Sequence, residues 1–245
     1  WRAGMEAIVA ASAAFRRWLG RMWSGTRVSG MEILCVLLVA FAVGYVIWTV
    51  IAIVRAKGRR GRRAVSALLG AVNVGLTIYL GFCWLWGVNY YVDGFQEKSG
   101  VYAQPVSVED LTAVTEYFAR GLQETADAVP RDENGLFAVP REEILESSVH
   151  AYDQVEQDFP FLAFDDTPPK AVHFSRIMSL LDFTGIYCPY TGESNVNVDS
   201  PACLLPSTAA HELAHQRGIA SEQECNFLAI LASTTCGQEG YAYSG

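Results

Sequence analysis

Ala210-His211-Glu212-Leu213-Ala214-His215-Gln216-Arg217-Gly218-Ile219-Ala220-Ser221-Glu222 is the stretch on which the reading of this chain turns. His-Glu-x-x-His on a helix puts His211 and His215 four residues apart on one face. Two imidazoles so placed are able to hold one zinc ion. Glu212 sits one residue round, within reach of a metal-activated water rather than of the metal. A catalytic zinc site needs three protein ligands and an open position, so a third ligand must come from beyond Gly218.

Glu222 and Glu224 are both candidates for that ligand. In an unbroken helix Glu222 projects about 20° from His211 at 100° per residue, whereas Glu224 projects to the opposite side. Seven residues of continuous helix would carry Glu222 about 10 Å beyond His215, too far to share an ion. The helix must break, and Gly218 is the natural place. Ser221-x-x-Glu224 then has the spacing of a capping box for a new helix. That gives Glu224 a structural job and favours Glu222 as the ligand beside His211 and His215. Glu212 takes the general-base role. Asn226 is a candidate for orienting the histidines. Tyr187, Tyr241, Tyr243 and His173 are candidate oxyanion donors.

Outward from the motif, charge is split along the chain. Residues 1–88 hold eleven Lys/Arg and two Asp/Glu, a net of +9, and residues 89–245 carry −17. An acidic second half argues against nucleic-acid binding, which needs a basic surface. Ile33–Val54 and Ala64–Val88 are free of charge and long enough to cross the hydrocarbon layer. Between them, Arg55 to Arg63 carries six positive charges in nine residues. This predicts a transmembrane hairpin with a cytoplasmic basic loop and both flanks outside. Trp84, Trp86, Tyr90 and Tyr91 suit an aromatic belt. Residues 1–30 read as an amphipathic juxtamembrane segment. Its helix, with Trp1, Met5, Ile8, Phe15, Leu19 and Met22 along one stripe, suits a membrane surface, with packing on the chain's own domain as the alternative. The chain begins at Trp1 rather than Met and reads as a piece of a longer protein.

Residues 89–245 read as one extracytoplasmic domain. A helix capped by Ser107 runs towards Pro130, with Leu111, Val114, Tyr117, Phe118 and Leu122 as its buried stripe. Another runs from Pro140 to Asp158. Ala171–Ser175, Gly185–Pro189 and Ser194–Val198 have β character and predict a small antiparallel sheet. Cys188 and Cys203, in an outside location, are available for a disulfide.

The stretch Pro169–Gly245 resembles an uncharacterised family of bacterial membrane-anchored proteins grouped with the gluzincin-type zinc metallopeptidases. The matching pieces are Pro169-Lys170, Ser175, Gly185-Ile186-Tyr187, Thr191-Gly192-Glu193, Asn195 to Asn197, His211 to Gly218, Glu222-x-Glu224-x-Asn226-Phe227 and Tyr243-Ser244-Gly245. The paired spans and Trp86-Gly-x-Asn89-Tyr90 are similar too. The resemblance implies a zincin-like domain in a bacterial cell membrane, and a family with more chain at both ends. Glu222-x-x-x-Asn226 resembles the Glu-x-x-x-Asp ligand helix of other membrane gluzincins, with Asn in place of Asp. In such peptidases an edge strand pairs with an extended peptide substrate, and Ser194–Val198 is the candidate for it, with an ordinary hairpin packed on the motif helix as the alternative.

Taken together, the expectation is a mainly helical α+β protein: a transmembrane hairpin followed by a zincin-like domain with a small antiparallel sheet. Its expected function is hydrolysis of peptide bonds by a Zn2+-dependent, membrane-anchored enzyme. The alternatives are a non-catalytic zinc-binding receptor or scaffold, and a membrane structural protein whose motif binds no metal.

Overall fold

The computed structural model describes residues 1–245. Helix α1 spans Arg2–Ser24, α2 Gly30–Arg55 and α3 Arg60–Leu85. A short α4, Phe95–Ser99, and the longer α5, Val108–Ala126, lead into α6, Arg141–Ser147, and α7, Asp153–Asp158. Strand β1, Lys170–Ala171, is followed by α8, Ser175–Leu180, then by β2, Gly185–Cys188, and β3, Glu193–Val196. Helices α9, Leu205–Gln216, α10, Glu222–Thr235, and α11, Glu239–Ser244, complete the chain.

Helix α9 lies at the centre of the core. Ala209, Ala210, Leu213 and Ala214 are fully buried against Val196 of β3, Leu228 and Ala232 of α10, and Tyr152 and Val155. The alanines matter because small side chains let the neighbouring helix and strand approach closely. Tyr152 fixes the level of α9 by donating its hydroxyl to the Ala210 carbonyl at 2.9 Å. Ser194 on β3 donates to the Glu212 carbonyl at 2.9 Å.

Helices α2 and α3 are both long and apolar enough to cross a membrane, and their outward side chains are exposed. They run antiparallel, and the domain holds both of their outer ends. The Glu193 carboxylate accepts from the Gly30 and Met31 N–H groups at 3.3 and 3.2 Å, capping α2 where the helix dipole is positive. Lys170 pairs with the same carboxylate at 2.8 Å, and both side chains are buried. At the other end, Ser12 and Arg16 of α1 donate to the Leu85 carbonyl at the close of α3. Arg16 is buried and lies over the Trp86 ring.

Helix α1 therefore has two faces. Ser12, Arg16 and Gly20 dock it on the chain's own domain, while Trp18 and Met22 stay exposed. The docking is a backbone-to-backbone approach of Gly20 and Gly192 in the β2–β3 turn. Gly192 has φ +69, and a Cβ there would fall inside the Arg16 carbonyl oxygen. Gly192→Ala is expected to cost more than about 1 kcal/mol, from strain at positive φ plus this clash. The check is thermal unfolding together with proteolysis, and release of residues 1–24 is the expected first cut.

Several expectations are corrected. The sheet is mixed rather than antiparallel: its order is β1-β3-β2, with β1 parallel and β2 antiparallel to β3. After Ala171 the chain turns into α8, so only two residues of Ala171–Ser175 and its flank pair as strand. Ser194–Val198 is not an edge, because β3 is the central strand; the long free edge belongs to β2. The stripe of α5 is exposed rather than buried, and Pro140–Asp158 is two short helices split at Ser148–Tyr152. All six cysteines are free thiols, with no Cys188–Cys203 bond.

Candidate metal centre

The chain around the motif reverses through a glycine. Gly218 has φ +88. Its N–H bonds the His215 carbonyl at 2.9 Å, and the Ile219 N–H bonds the Ala214 carbonyl at 3.3 Å. These two bonds are the Schellman closure of a helix end. Ser221 then caps α10 by accepting from the Glu224 N–H. The reversal folds the first turn of α10 back over the last turn of α9, and Glu222 returns to the histidines.

His211 Nε2 lies 3.1 Å from Glu222 Oε2, and His215 Nε2 lies 3.4 Å from Glu222 Oε1. The two imidazole rings stand nearly perpendicular, 4.9 Å apart. His215 Nδ1 lies 2.8 Å from the Ile219 carbonyl, which can only accept, so Nδ1 carries the proton. That fixes the tautomer and leaves the Nε2 lone pair facing Glu222. Burial holds His215 below the ordinary imidazole value, with His211 adding to the effect, so the ring is neutral at pH 7. Trp86 meets the same ring edge-on at 5.6 Å.

Glu224 points elsewhere. Its carboxylate caps α4, accepting from the Phe95 and Gln96 N–H groups at 3.0 and 2.9 Å. Cys225 approaches His215 from the other side, with Sγ 3.3 Å from Nδ1. His211, His215 and Cys225 do lie close enough to share an ion. However, the Nδ1 that faces Cys225 is already committed to Ile219, and burial pushes the thiol well above its ordinary value. Glu222 is thus the better-placed third donor.

Glu212 is buried behind the pair. Burial pushes its carboxyl well above the ordinary carboxylate range, and the Glu222 charge adds to the rise. Its Oε2 has no hydrogen-bond partner. Gly185 at the start of β2 makes room for it: a Cβ there would stand 2.8 Å from the Glu212 carboxyl carbon.

The centre lies in the wall of a cavity of about 600 Å³. Tyr187 is the one of the four candidate oxyanion donors on that wall. Burial raises its hydroxyl to about 12, opposed by Arg16 beside it. Tyr241 is spent on the Ile144 carbonyl at 2.8 Å, Tyr243 stacks on Phe137, and His173 is exposed beside Phe174. Asn226 lines the cavity and hydrogen-bonds neither histidine. Sequence reasoning missed Gly185, Trp86 and Arg16. Gly185 and Trp86 stood out as parts of family-like pieces, with no role at the centre attached, and Arg16 carried no signal at all.

No curated protein and no solved structure matches the chain. The profile of a family described as protein of unknown function (DUF3810) matches residues 13–245, and the chain belongs to that family.

Proposed function

We propose that this protein is a membrane-anchored, zinc-dependent hydrolase of peptide bonds, related in mechanism to the gluzincin-type metallopeptidases. The observation that carries the reading is the convergence of His211 Nε2, His215 Nε2 and the Glu222 carboxylate beside an unpartnered, buried Glu212 oxygen. Two imidazoles and one carboxylate, open on one side to a cavity, fit the donor set of a catalytic zinc. A zinc ion held there would supply Lewis acidity, polarising a carbonyl and making a water molecule more acidic.

The chain's own groups do the rest. Glu212 accepts a proton from the attacking water and returns it to the departing amine nitrogen. Its raised affinity for protons suits both halves of that task near neutral pH. The Ile219 carbonyl keeps His215 in the ligating tautomer. Tyr187 lies on the wall where an oxygen developing negative charge needs a donor. The free edge of β2, which borders Glu212 through Gly185, is the edge on which an extended peptide would add a strand. The basic loop Arg55–Arg63 lies about 39 Å from the domain, one 26-residue helix away. The positive-inside rule then puts the loop in the cytoplasm and the domain outside.

The test is metal content and peptide cleavage by the purified full chain in detergent. About one zinc per chain is expected for the wild type, and none for His211→Ala. Glu222→Ala should weaken zinc by more than the roughly 10–100-fold that loss of an outer-shell partner costs. Glu224→Ala should keep its zinc and lose about 0.5–2 kcal/mol of stability through the uncapped α4. A wild type without zinc, or one equally loaded in all four forms, would sink the proposal.

A further inference from the structure

The underside of the domain carries an apolar surface that the metal centre does not use. Phe174, Ile177, Leu180, Leu181 and Phe183 are between 48 % and 85 % exposed. Phe174, Ile177 and Leu181 recur at helical spacing along the outer face of α8, whose inner face buries Ser175 and Met178. Arg176 is the one cation among them. Contiguous exposed patches of this kind mark a contact with a partner or a membrane.

Position along the spans decides between these. A hydrocarbon layer of about 30 Å takes about 20 helical residues. Counted outward from the basic loop, from Val54 on α2 and Ala64 on α3, the layer ends near Cys35 and Cys83. Gly30–Leu34 are then left in the outer headgroup layer, about 5–7 Å thick. The start of the patch is tied to that layer: the Phe174 N–H donates to Glu32 Oε1 at 2.8 Å. A second contact reaches deeper along the spans. Tyr190, at the tip of the β2–β3 turn, donates its hydroxyl to the Ile78 carbonyl and rests on Gly81, both below the Cys83 level. The domain therefore does not stand clear of the spans on a stalk. Its lower surface continues theirs.

The same segment borders the cavity. Asp182, Phe183 and Thr184, directly after the helix, form part of the wall that also holds His211 and Glu212. We propose that the outer face of α8 and its following loop beds in the outer lipid headgroup layer, and that the cavity takes polypeptide held at that lipid surface. Apolar side chains enter the boundary of headgroups and acyl chains, and Arg176 reaches the phosphates along its own stem. A substrate chain emerging from the bilayer or lying on it would meet the rim at Phe183 before reaching the free edge of β2. The lipid contact rests on the reading that α2 and α3 cross a bilayer, and the polypeptide occupant of the cavity rests on the proposed peptide-bond hydrolysis.

The experiment uses the full chain in vesicles of phosphatidylcholine and phosphatidylglycerol. An environment-sensitive fluorescent amino acid is placed singly at Leu180, Phe183, Val50 and Glu133, all of them exposed, so the core is untouched. Lipid carrying a nitroxide near the headgroup end of its acyl chain serves as quencher. Quenching at 180 and 183 by a fraction comparable to that at Val50, with Glu133 unaffected, is the expected result. Quenching at Val50 with 180 and 183 behaving like Glu133 would overturn this inference and leave the spans standing. Quenching at 180 without 183 would overturn the placement of the cavity. No quenching at Val50 would overturn the membrane reading itself. None of these outcomes depends on zinc or on cleavage, so the hydrolase proposal stands or falls separately.

Discussion

Glu212→Gln is expected to slow peptide cleavage about 10²–10⁴-fold, the usual contribution of a positioned acid–base group, while zinc stays bound. Glutamine keeps the length and shape of the side chain, so the tight packing against Gly185 survives. What it loses is the ability to take up and return a proton at Oε2, the oxygen with no partner in the structure. Nothing nearby substitutes for it. Glu222 faces both histidines, and Glu224 caps α4. The measurement is cleavage of a peptide library by wild type and variant at matched zinc content. Equal cleavage by the two would remove Glu212 from the mechanism. A fall in cleavage accompanied by loss of zinc would instead mean that it supports the metal.

Arg217→Met should destabilise the fold by about 3–5 kcal/mol, the cost of leaving a buried charge without its partner. Arg217 holds Asp166 in a two-pronged pair, both bonds at 2.6 Å, and Glu156 at 2.8 Å. Its guanidinium stacks 3.8 Å from the Tyr152 ring centroid, beneath α9. Burial raises the Asp166 carboxyl to about 6; Arg217 opposes the rise, and Glu156 and Asp153 add to it. A carboxyl raised in the folded state binds its proton there before it does in the unfolded chain. Its stability contribution is therefore full below the ordinary value and is lost as pH rises through about 6. Without Arg217 the rise is larger, so the variant should recover part of its loss between pH 7 and pH 5. Denaturant unfolding of metal-free protein at the two pH values checks this. A loss that is the same at both would show that Asp166 is not the stranded charge.

The parts of this fold that could be read from sequence are those whose causes are local. The motif helix, its end at Gly218 and the restart at Ser221 all depend on residues within one or two turns, and these were legible. The return of Glu222 to the two histidines follows as well from the geometry of a broken helix. The errors have non-local causes. Ala171–Ser175 has strand composition, but of these residues only Ala171 belongs to the strand that pairs with β3, and the rest lead into α8. The parallel β1–β3 contact depends on a crossover that no local pattern encodes. The amphipathic stripe of α5 is real in the sequence, yet nothing in the structure covers it. The burial of Arg16 and Lys170 depends on Leu85 and Glu193, which are 69 and 23 residues away in the chain.

The caps that Glu193 and Arg16 place on the two long helices bear on the order in which the protein assembles. The β2–β3 turn closes on a helix start that is about 160 residues earlier in the chain, and α1 closes on a helix end about 70 residues later. Neither contact forms until the helical hairpin is in place, so completion of the half that bears the motif waits on the half that bears the hairpin. A chain cut back to residues 89–245 would present to solvent Glu193 and Asn195 of the central strand and Lys170 of β1, all buried in the whole protein. The half that bears the motif is in this sense a guest of the two long helices, folded to completion only against their ends.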